Sequence, residues 1–175
     1  DSAAASRLAI GEAITNMAAA DAKLPRIKLS ANWMAACGAE GEDARLFDAV
    51  KAASDFSVAL GISIPVGKDS LSMRTKWEAE GEQKSVTSPV SLIVSAAAPV
   101  EDVSKTLTPE LKRDPASVLV LVDLGAGKNR LGGSILAQVT QRFGDTAPDC
   151  ENAAELARFF VTVRRLTDSG ALLAY

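Results

Sequence analysis

Two side chains near the start of the chain, Glu12 and Asn16, have the types and the spacing of metal ligands. They lie in an alanine-rich stretch, residues 3–20, that predicts one long helix, and four residues of spacing puts them on one face of it. A carboxylate and an amide oxygen one turn apart suit a hard cation such as Mg²⁺. The alternative is a solvated polar face, because Ile10 and Ile14 mark a core face on the other side. Periodicity alone leaves these two interpretations about equally open.

A second polar motif, Gly67-Lys68-Asp69-Ser70, follows a short predicted strand. Glycine lets the backbone approach a ligand closely. The Lys68 ammonium suits a phosphate or a carboxylate, and the hydroxyls of Ser70 and Ser72 add hydrogen bonds. The motif lacks the upstream glycine spacing of a P-loop. On spacing alone, a polar turn at the rim of a sheet is the favoured interpretation.

A third motif is the glycine-rich segment from Gly125 to Ser134, between a predicted strand and a predicted helix. Such a segment can bind phosphate at the helix N-terminus. Arg130 stands where the third glycine of a dinucleotide fingerprint belongs, so a tight structural turn is the favoured interpretation. Asn32 and Trp33, at the end of another predicted strand, are further ligand candidates, although a buried Trp with a satisfied N–H is the commoner case.

Hydrophobic periodicity and turn residues predict the elements that must position these motifs. The predicted helices are residues 3–20, 42–60, 134–143 and 152–169, and the predicted strands are residues 27–33, 62–66, 71–77, 86–100, 117–124 and 172–175. A polar hairpin turn is predicted near residues 78–85, and a short helical or turn segment at 107–111. The charged, proline-containing segment 112–115 predicts a domain boundary. Because the chain ends as a strand begins, we expect a fragment of a longer protein.

The composition excludes several classes of function. The 175 residues are 47% hydrophobic and 23% charged, with a net charge of −3 and a pI of about 5.1. Lys and Arg do not cluster, so neither nucleic acid nor a membrane surface is an expected partner. The chain has no His, which excludes Ser/His and Cys/His nucleophiles and the usual zinc sites. Cys37 and Cys150 are expected to be free thiols in a cytoplasmic protein, with one disulfide as the alternative.

Six segments, taken in order, resemble one family. They read GEAITNM, IKLSANWM, IPVGKDSLSM, TSPVSLIVSA, VEDVSKTLTPEL and LVDLGAGKNRLGGSILAQV. Together they closely resemble the large, single-chain phosphoribosylformylglycinamidine synthases of purine biosynthesis, over essentially the whole chain.

The resemblance implies a mixed α/β fold related to aminoimidazole ribonucleotide synthetase. Such enzymes contain two copies of a unit with an N-terminal-type and a C-terminal-type half. Residues 1–113 are similar to much of the N-terminal-type half of the second copy, and residues 114–175 to the opening of the C-terminal-type half. The implied partners within one longer chain are the first copy and a glutamine amidotransferase domain.

The resemblance also implies a reaction, in which ATP drives replacement of the formamide oxygen of formylglycinamide ribonucleotide by nitrogen from glutamine. It implies that Glu12 and Asn16 are Mg²⁺ ligands at an ATP or ADP site whose other ligands are aspartates outside this segment. It places Lys68, Asp69 and Ser70 at the substrate cleft and gives no catalytic residue here. The segment alone is expected to be inactive. The alternatives are a non-catalytic module that holds structural ADP and a kinase-like relative, against which GKDSLSM argues.

Overall fold

The structure is a computed structural model that describes residues 1–144 and 146–175. Four helices and five strands form it, and they are listed here with their bounds: α1 (Ser2–Met17), β1 (Lys28–Met34), α2 (Glu42–Leu60), β2 (Ser63–Ser70), β3 (Arg74–Ala79), β4 (Glu82–Thr87), β5 (Ser91–Ala97), α3 (Ile135–Val139) and α4 (Ala153–Asp168). Short 3-10 turns occupy Leu24–Arg26 and Val103–Lys105. The described helices include none that is long and apolar enough to cross a membrane.

A three-stranded mixed sheet organises the N-terminal part of the chain. Its order is β2-β1-β5, with β1 parallel to β2 and antiparallel to β5. The β1 side chains alternate, so that Leu29 and Ala31 are buried while Lys28 and Ser30 are exposed. The buried face packs in one core with α1, α2 and α4. The predicted mixed α/β class is confirmed, and Pro65 lies in the edge strand β2, as its missing N–H requires.

The two long N-terminal helices begin and end where local chemistry allows. The Asp1 carboxylate accepts a hydrogen bond from the Ala4 N–H (3.0 Å) and caps α1. Ile10 and Ile14 are fully buried, as predicted. Helix α2 ends at Gly61, whose φ of 69° is the left-handed cap geometry. The buried face of α2 consists of alanines together with Phe56 and Leu60, whereas Phe47 is 67% exposed.

The segment between β2 and β5 differs from its prediction in two ways. Residues 67–70 are not a loop, because they continue β2 to Ser70. The single strand predicted over 86–100 is wrong. It is divided into the end of β4 and all of β5, on either side of Pro89, which has no N–H to donate to a ladder. The predicted hairpin is confirmed as β3–β4, but its turn is shorter than predicted and consists of Glu80 and Gly81, both at positive φ.

Two predicted strands beyond residue 113 are wrong. Residues 117–124 and 172–175 form no strand, and the side chains of Val118 to Val122 are 53–93% exposed. A strand exists only when another strand accepts and donates its backbone hydrogen bonds. No described segment pairs with either of these. The boundary predicted at 112–115 lies in irregular backbone, and the division into two domains stays a prediction.

The C-terminal helices follow the prediction more closely. Helix α4 is confirmed within one residue at each end and inserts Leu156 and Phe160 into the N-terminal core. Helix α3 is much shorter than predicted, because Gln141 adopts a positive φ of 54° and the Arg142 N–H turns back to the Ala137 carbonyl.

A buried ion pair attaches α4 to the end of α1. The Arg164 guanidinium donates to the Asp21 carboxylate (3.1 Å) and lies 3.5 Å from the Ala18 carbonyl oxygen. The two charged side chains are only 10% and 18% exposed. We expect Arg164→Ala to lower the free energy of unfolding by about 2 kcal/mol, because Asp21 would keep a desolvated charge without its partner.

Urea unfolding followed by circular dichroism measures this loss. The matched control is Arg158→Ala on the same helix, whose guanidinium is exposed and 3.7 Å from Glu155. It should change stability by less than about 0.5 kcal/mol. Equal effects of the two substitutions would contradict a specific role for the Arg164 pair.

Gly61 supplies a second stability prediction. Its φ of 69° is strained for any residue with a Cβ, although open space surrounds the position. Gly61→Ala should therefore cost about 1 kcal/mol. Gly67→Ala is the control, since Gly67 has no positive φ and an added Cβ would meet only ordinary contacts at 3.9 Å. It should leave thermal stability unchanged or raise it slightly, and the reverse order of melting temperatures would count against this account.

Candidate functional site

Glu12 lies on the exposed side of α1 and lines a cavity of about 460 Å³. Three parts of the chain form its walls. They are α1 (Leu8, Gly11, Glu12, Thr15), the glycine-rich segment (Asp123–Gly125 and Lys128–Leu131) and the segment before α4 (Pro148–Cys150). Asn16 is also exposed, one turn further along α1, and does not line the cavity. The predicted pair therefore shares a helix face, but only Glu12 of the two lines the cavity.

The glycine-rich wall is folded by its own aspartate. The Asp123 carboxylate accepts hydrogen bonds from the N–H groups of Gly125 and Gly127, both at 2.7 Å. This uses the carboxylate to make a tight turn, which is the favoured structural interpretation of the glycines. A phosphate site at the N-terminus of α3 is not supported, because α3 has five residues and the Ser134 hydroxyl caps it (3.2 Å to the Ala137 nitrogen).

Two cations of that segment face the cavity and share one carboxylate. Glu151 accepts hydrogen bonds from the Lys128 ammonium (2.9 Å) and the Arg130 guanidinium (2.8 Å). The bonds from Lys128 and then Arg130 lower the pKa of Glu151 below its ordinary value. Arg130 also donates to the Asp149 carbonyl (3.1 Å). Both cations are thereby held in the cavity wall that the glycine-rich segment forms.

The third wall is fixed to α1 by an ion pair and a close contact. Arg7 binds Asp149 through two hydrogen bonds, at 2.9 and 2.5 Å, and this partner raises the pKa of Arg7. A Cβ at Gly11 would lie 3.2 Å from both the Cβ and the Sγ of Cys150. Glycine at this position therefore lets residues 148–150 lie directly against the helix beside Glu12.

The cysteines do not contribute ligands to this site. Burial raises the pKa of the Cys150 thiol, which disfavours a thiolate. Cys37 and Cys150 are both free, so the predicted free thiols are confirmed and the disulfide alternative is wrong.

The donor set fits magnesium in kind. Glu12 and Asn16 supply hard oxygen atoms, as Mg²⁺ prefers. Asp123 lines the same cavity, but its oxygens are bonded to loop amides. Within residues 1–144 and 146–175, no cluster of three or more Asp, Glu, Cys or His side chains is able to hold a metal ion. Further ligands, such as water or phosphate oxygens, would have to complete an octahedral shell.

The predicted substrate residues lie on β2, and none of them lines the Glu12 cavity. The Lys68 ammonium contacts the Ser70 hydroxyl oxygen at 2.5 Å. Lys68 is paired with Asn32 of β1, whereas Asp69 is paired with Trp33. Since cross-strand partners point to the same side of a sheet, Lys68 and Ser70 share the open face and Asp69 lies on the other.

Asn32 and Trp33 have buried polar atoms that lack partners. Neither the Asn32 Oδ1 nor the Trp33 Nε1 finds a hydrogen bond among the described residues. The expectation of a satisfied Trp N–H is therefore wrong. Asn32 is the cross-strand partner of Lys68, so an unpartnered buried acceptor and a cation belong to residues on the same face of the sheet.

Several site residues escaped the sequence reasoning. The sequence pattern does not predict a role for Arg7, Asp149 or Glu151. Arg7 contacts Asp149, which is 142 positions away, and hydrophobic periodicity carries no information about such an ion pair. One feature of the sequence does point to Arg7. In the stretch from residue 3 to residue 20, Arg7 and Glu12 are the two charged side chains.

Comparison with protein families identifies the N-terminal part. Residues 1–99 match the family model described as the FGAR-AT PurM_N-like domain. This range runs from α1 through β5 and includes Glu12, Asn16 and residues 68–70. The match covers more than half of the chain, which therefore belongs to the FGAR-AT PurM_N-like domain family.

Proposed function

We propose that the chain is a nucleotide-binding part of a large, single-chain phosphoribosylformylglycinamidine synthase. Family membership supports a purine-pathway synthetase fragment and an ATP-dependent ligase as the parent. The proposed parent reaction converts formylglycinamide ribonucleotide, glutamine and ATP to formylglycinamidine ribonucleotide. The remaining partners are the first synthetase copy and the amidotransferase domain of the same longer chain, in the cytoplasm. The fragment is proposed to be inactive by itself.

One observation carries the proposal. Glu12 and the cations Lys128 and Arg130 line a single cavity, from α1 and from the glycine-rich segment respectively. A magnesium–nucleotide complex has a cation that needs oxygen ligands and phosphates that need positive partners. The cavity lining offers both kinds of partner, which suits a magnesium–nucleotide complex.

Each residue has a defined role in this proposal. Glu12 and Asn16 hold Mg²⁺, which supplies neutralisation of phosphate charge when bound. Lys128 and Arg130 orient the phosphates through charge-assisted hydrogen bonds. Arg7, through Asp149, fixes the wall that carries Glu151 close to them. Lys68 and Ser70 bind the ribonucleotide substrate from β2, with Asp69 on the reverse face.

The second candidate is a non-catalytic site for structural ADP. It is favoured by the ion pairs that join the cavity walls, because a bound nucleotide would extend the same bridge between α1 and the glycine-rich segment. In this case Glu12 and Asn16 stabilise the assembly and take no part in turnover.

Glu12→Gln tests the metal role directly. Replacing a carboxylate ligand by a neutral amide should weaken Mg·ADP binding about tenfold, or about 1.4 kcal/mol. ADP binding in EDTA should not change. Isothermal titration calorimetry of the 175-residue chain, with and without Mg²⁺, measures both quantities.

Two further variants sharpen this measurement. Lys128→Gln should weaken ADP binding in both conditions, because it removes a phosphate partner. Asp48→Asn removes an exposed carboxylate from α2 outside the cavity and should change neither affinity. If Glu12→Gln and Asp48→Asn had the same Mg·ADP affinity, Glu12 would not be a ligand.

Glu12→Ala in the longer parent enzyme separates the two candidates. In a catalytic site, turnover should fall by at least about tenfold while co-purified ADP and melting temperature stay unchanged. In a structural site, both co-purified ADP and the melting temperature should fall together. Nucleotide content by chromatography after denaturation, beside thermal melting, decides between them.

A further inference from the structure

A second pocket, of about 380 Å³, lies where the chain leaves β1 and later enters β3. Its lining residues are Ala36, Cys37, Ser72, Arg74 and Lys76. None of them lines the Glu12 cavity, so an inference drawn here does not rest on the function proposed above.

Positive charge is concentrated on one side of the hairpin at this pocket. Arg74 and Lys76 are two residues apart on β3 and therefore point to the same face. Their partners across the hairpin are the hydroxyl residues Thr87 and Ser85. The Arg74 Nε lies 3.3 Å from the Thr87 hydroxyl oxygen. Neither cation has an acidic side chain within 4.0 Å among the described residues.

Backbone hydrogen bonds hold the floor of the pocket. The Cys37 N–H donates to the Leu71 carbonyl (2.8 Å), and the Met73 N–H donates to the Ala35 carbonyl (3.1 Å). Between these bonds, Ala36 and Ser72 form an antiparallel bridge. Paired backbone thus fixes the main chain of Ser72, Arg74 and Lys76. A ligand therefore has to order only their side chains, which lowers the entropy cost of binding.

Among the described residues that line the pocket, none carries a carboxylate. The Asp43 carboxylate accepts a hydrogen bond from the Gly38 N–H (3.1 Å), next to Cys37. Glu78 is next along the Arg74–Lys76 face, and its carboxylate accepts a hydrogen bond from Gln83 (3.3 Å). The charged side chains of the described lining are therefore both cations, Arg74 and Lys76.

We propose that this pocket binds a phosphate monoester dianion through Ser72, Arg74 and Lys76. Two cations match two negative charges, the guanidinium offers paired donors, and the ammonium acts as a point charge. The hydroxyl supplies a third, neutral donor. The pocket is larger than a phosphate group, so it also accommodates part of the organic group that the phosphate carries.

Titration of the ¹⁵N-labelled 175-residue chain by NMR tests the proposal, with ribose 5-phosphate as the probe and inorganic phosphate as the comparison. Saturable shifts are expected at the amides of Ser72, Arg74 and Lys76, with tighter binding of ribose 5-phosphate. The double variant Arg74→Gln/Lys76→Gln removes both positive charges, keeps polar side chains and should weaken binding at least about tenfold.

Lys84→Gln is the matched control. Lys84 lies on the same hairpin but pairs with Trp77, on the face opposite to Lys76. It should change the affinity less than about twofold, because the Lys84 ammonium belongs to the other face and lies 3.7 Å from the Glu80 carboxylate. If Lys84→Gln weakened ribose 5-phosphate binding as much as the double variant does, the binding would reflect general charge attraction, and the proposal would be overturned. Shifts confined to residues 123–131, or no saturable shift, would overturn it as well.

Discussion

The ion pair between Arg7 and Asp149 is the interaction on which the arrangement of the site depends. It joins α1 to the segment before α4 across 142 positions of sequence, and the Asp149 side chain is only 5% exposed. A carboxylate this buried is destabilising without its partner, so the two must stay together. The pair fixes residues 148–151 against α1, where Gly11 leaves room for Cys150. Glu151 then reaches the cations of the glycine-rich segment.

This constraint explains why one helix serves both the core and the cavity. Ile10 and Ile14 are fully buried on one face of α1, so the helix cannot rotate without exposing them. With that face fixed, Glu12 must point to the opposite side, toward the wall that Asp149 holds in place. A carboxylate is tolerated in an alanine-rich helix because its position is exposed.

Local patterns predicted local structure well. The start of α2 at Glu42, its end before Gly61 and the β3–β4 hairpin all follow from residues near in sequence. The predicted strand at 117–124 failed for a physical reason. The apolar composition of this segment predicts that it is buried. A strand also needs a neighbouring strand as its hydrogen-bonding partner, and composition does not show whether one is present. The turn predicted at residues 67–70 is wrong for the opposite reason. The glycine and polar residues there predict a turn, but hydrogen bonding to β1 keeps the segment extended.

The candidate site likewise combines relations that local sequence predicts with one that depends on tertiary contact. The Glu12–Asn16 relation is a property of helix spacing and was accessible from sequence. The sequence also predicts that Lys68 and Ser70 lie on the same face if the segment is treated as a strand, because alternate residues of a strand point the same way. The placement of Glu151 beside Lys128 and Arg130 was not accessible. It depends on a tertiary contact between ionic side chains, which leaves no periodic signal.

Under the proposed function, the incomplete ligand set has a thermodynamic consequence. Two oxygens from one helix face cannot fill the octahedral shell of Mg²⁺, so the metal alone should bind weakly. Phosphate oxygens held by Lys128 and Arg130 would supply the missing ligands, and each component would then strengthen the binding of the other by the same factor. Before any phosphate arrives, Glu151 already occupies both cations. Phosphate must therefore replace a carboxylate, and the coupling with Mg²⁺ provides the free energy that favours this exchange.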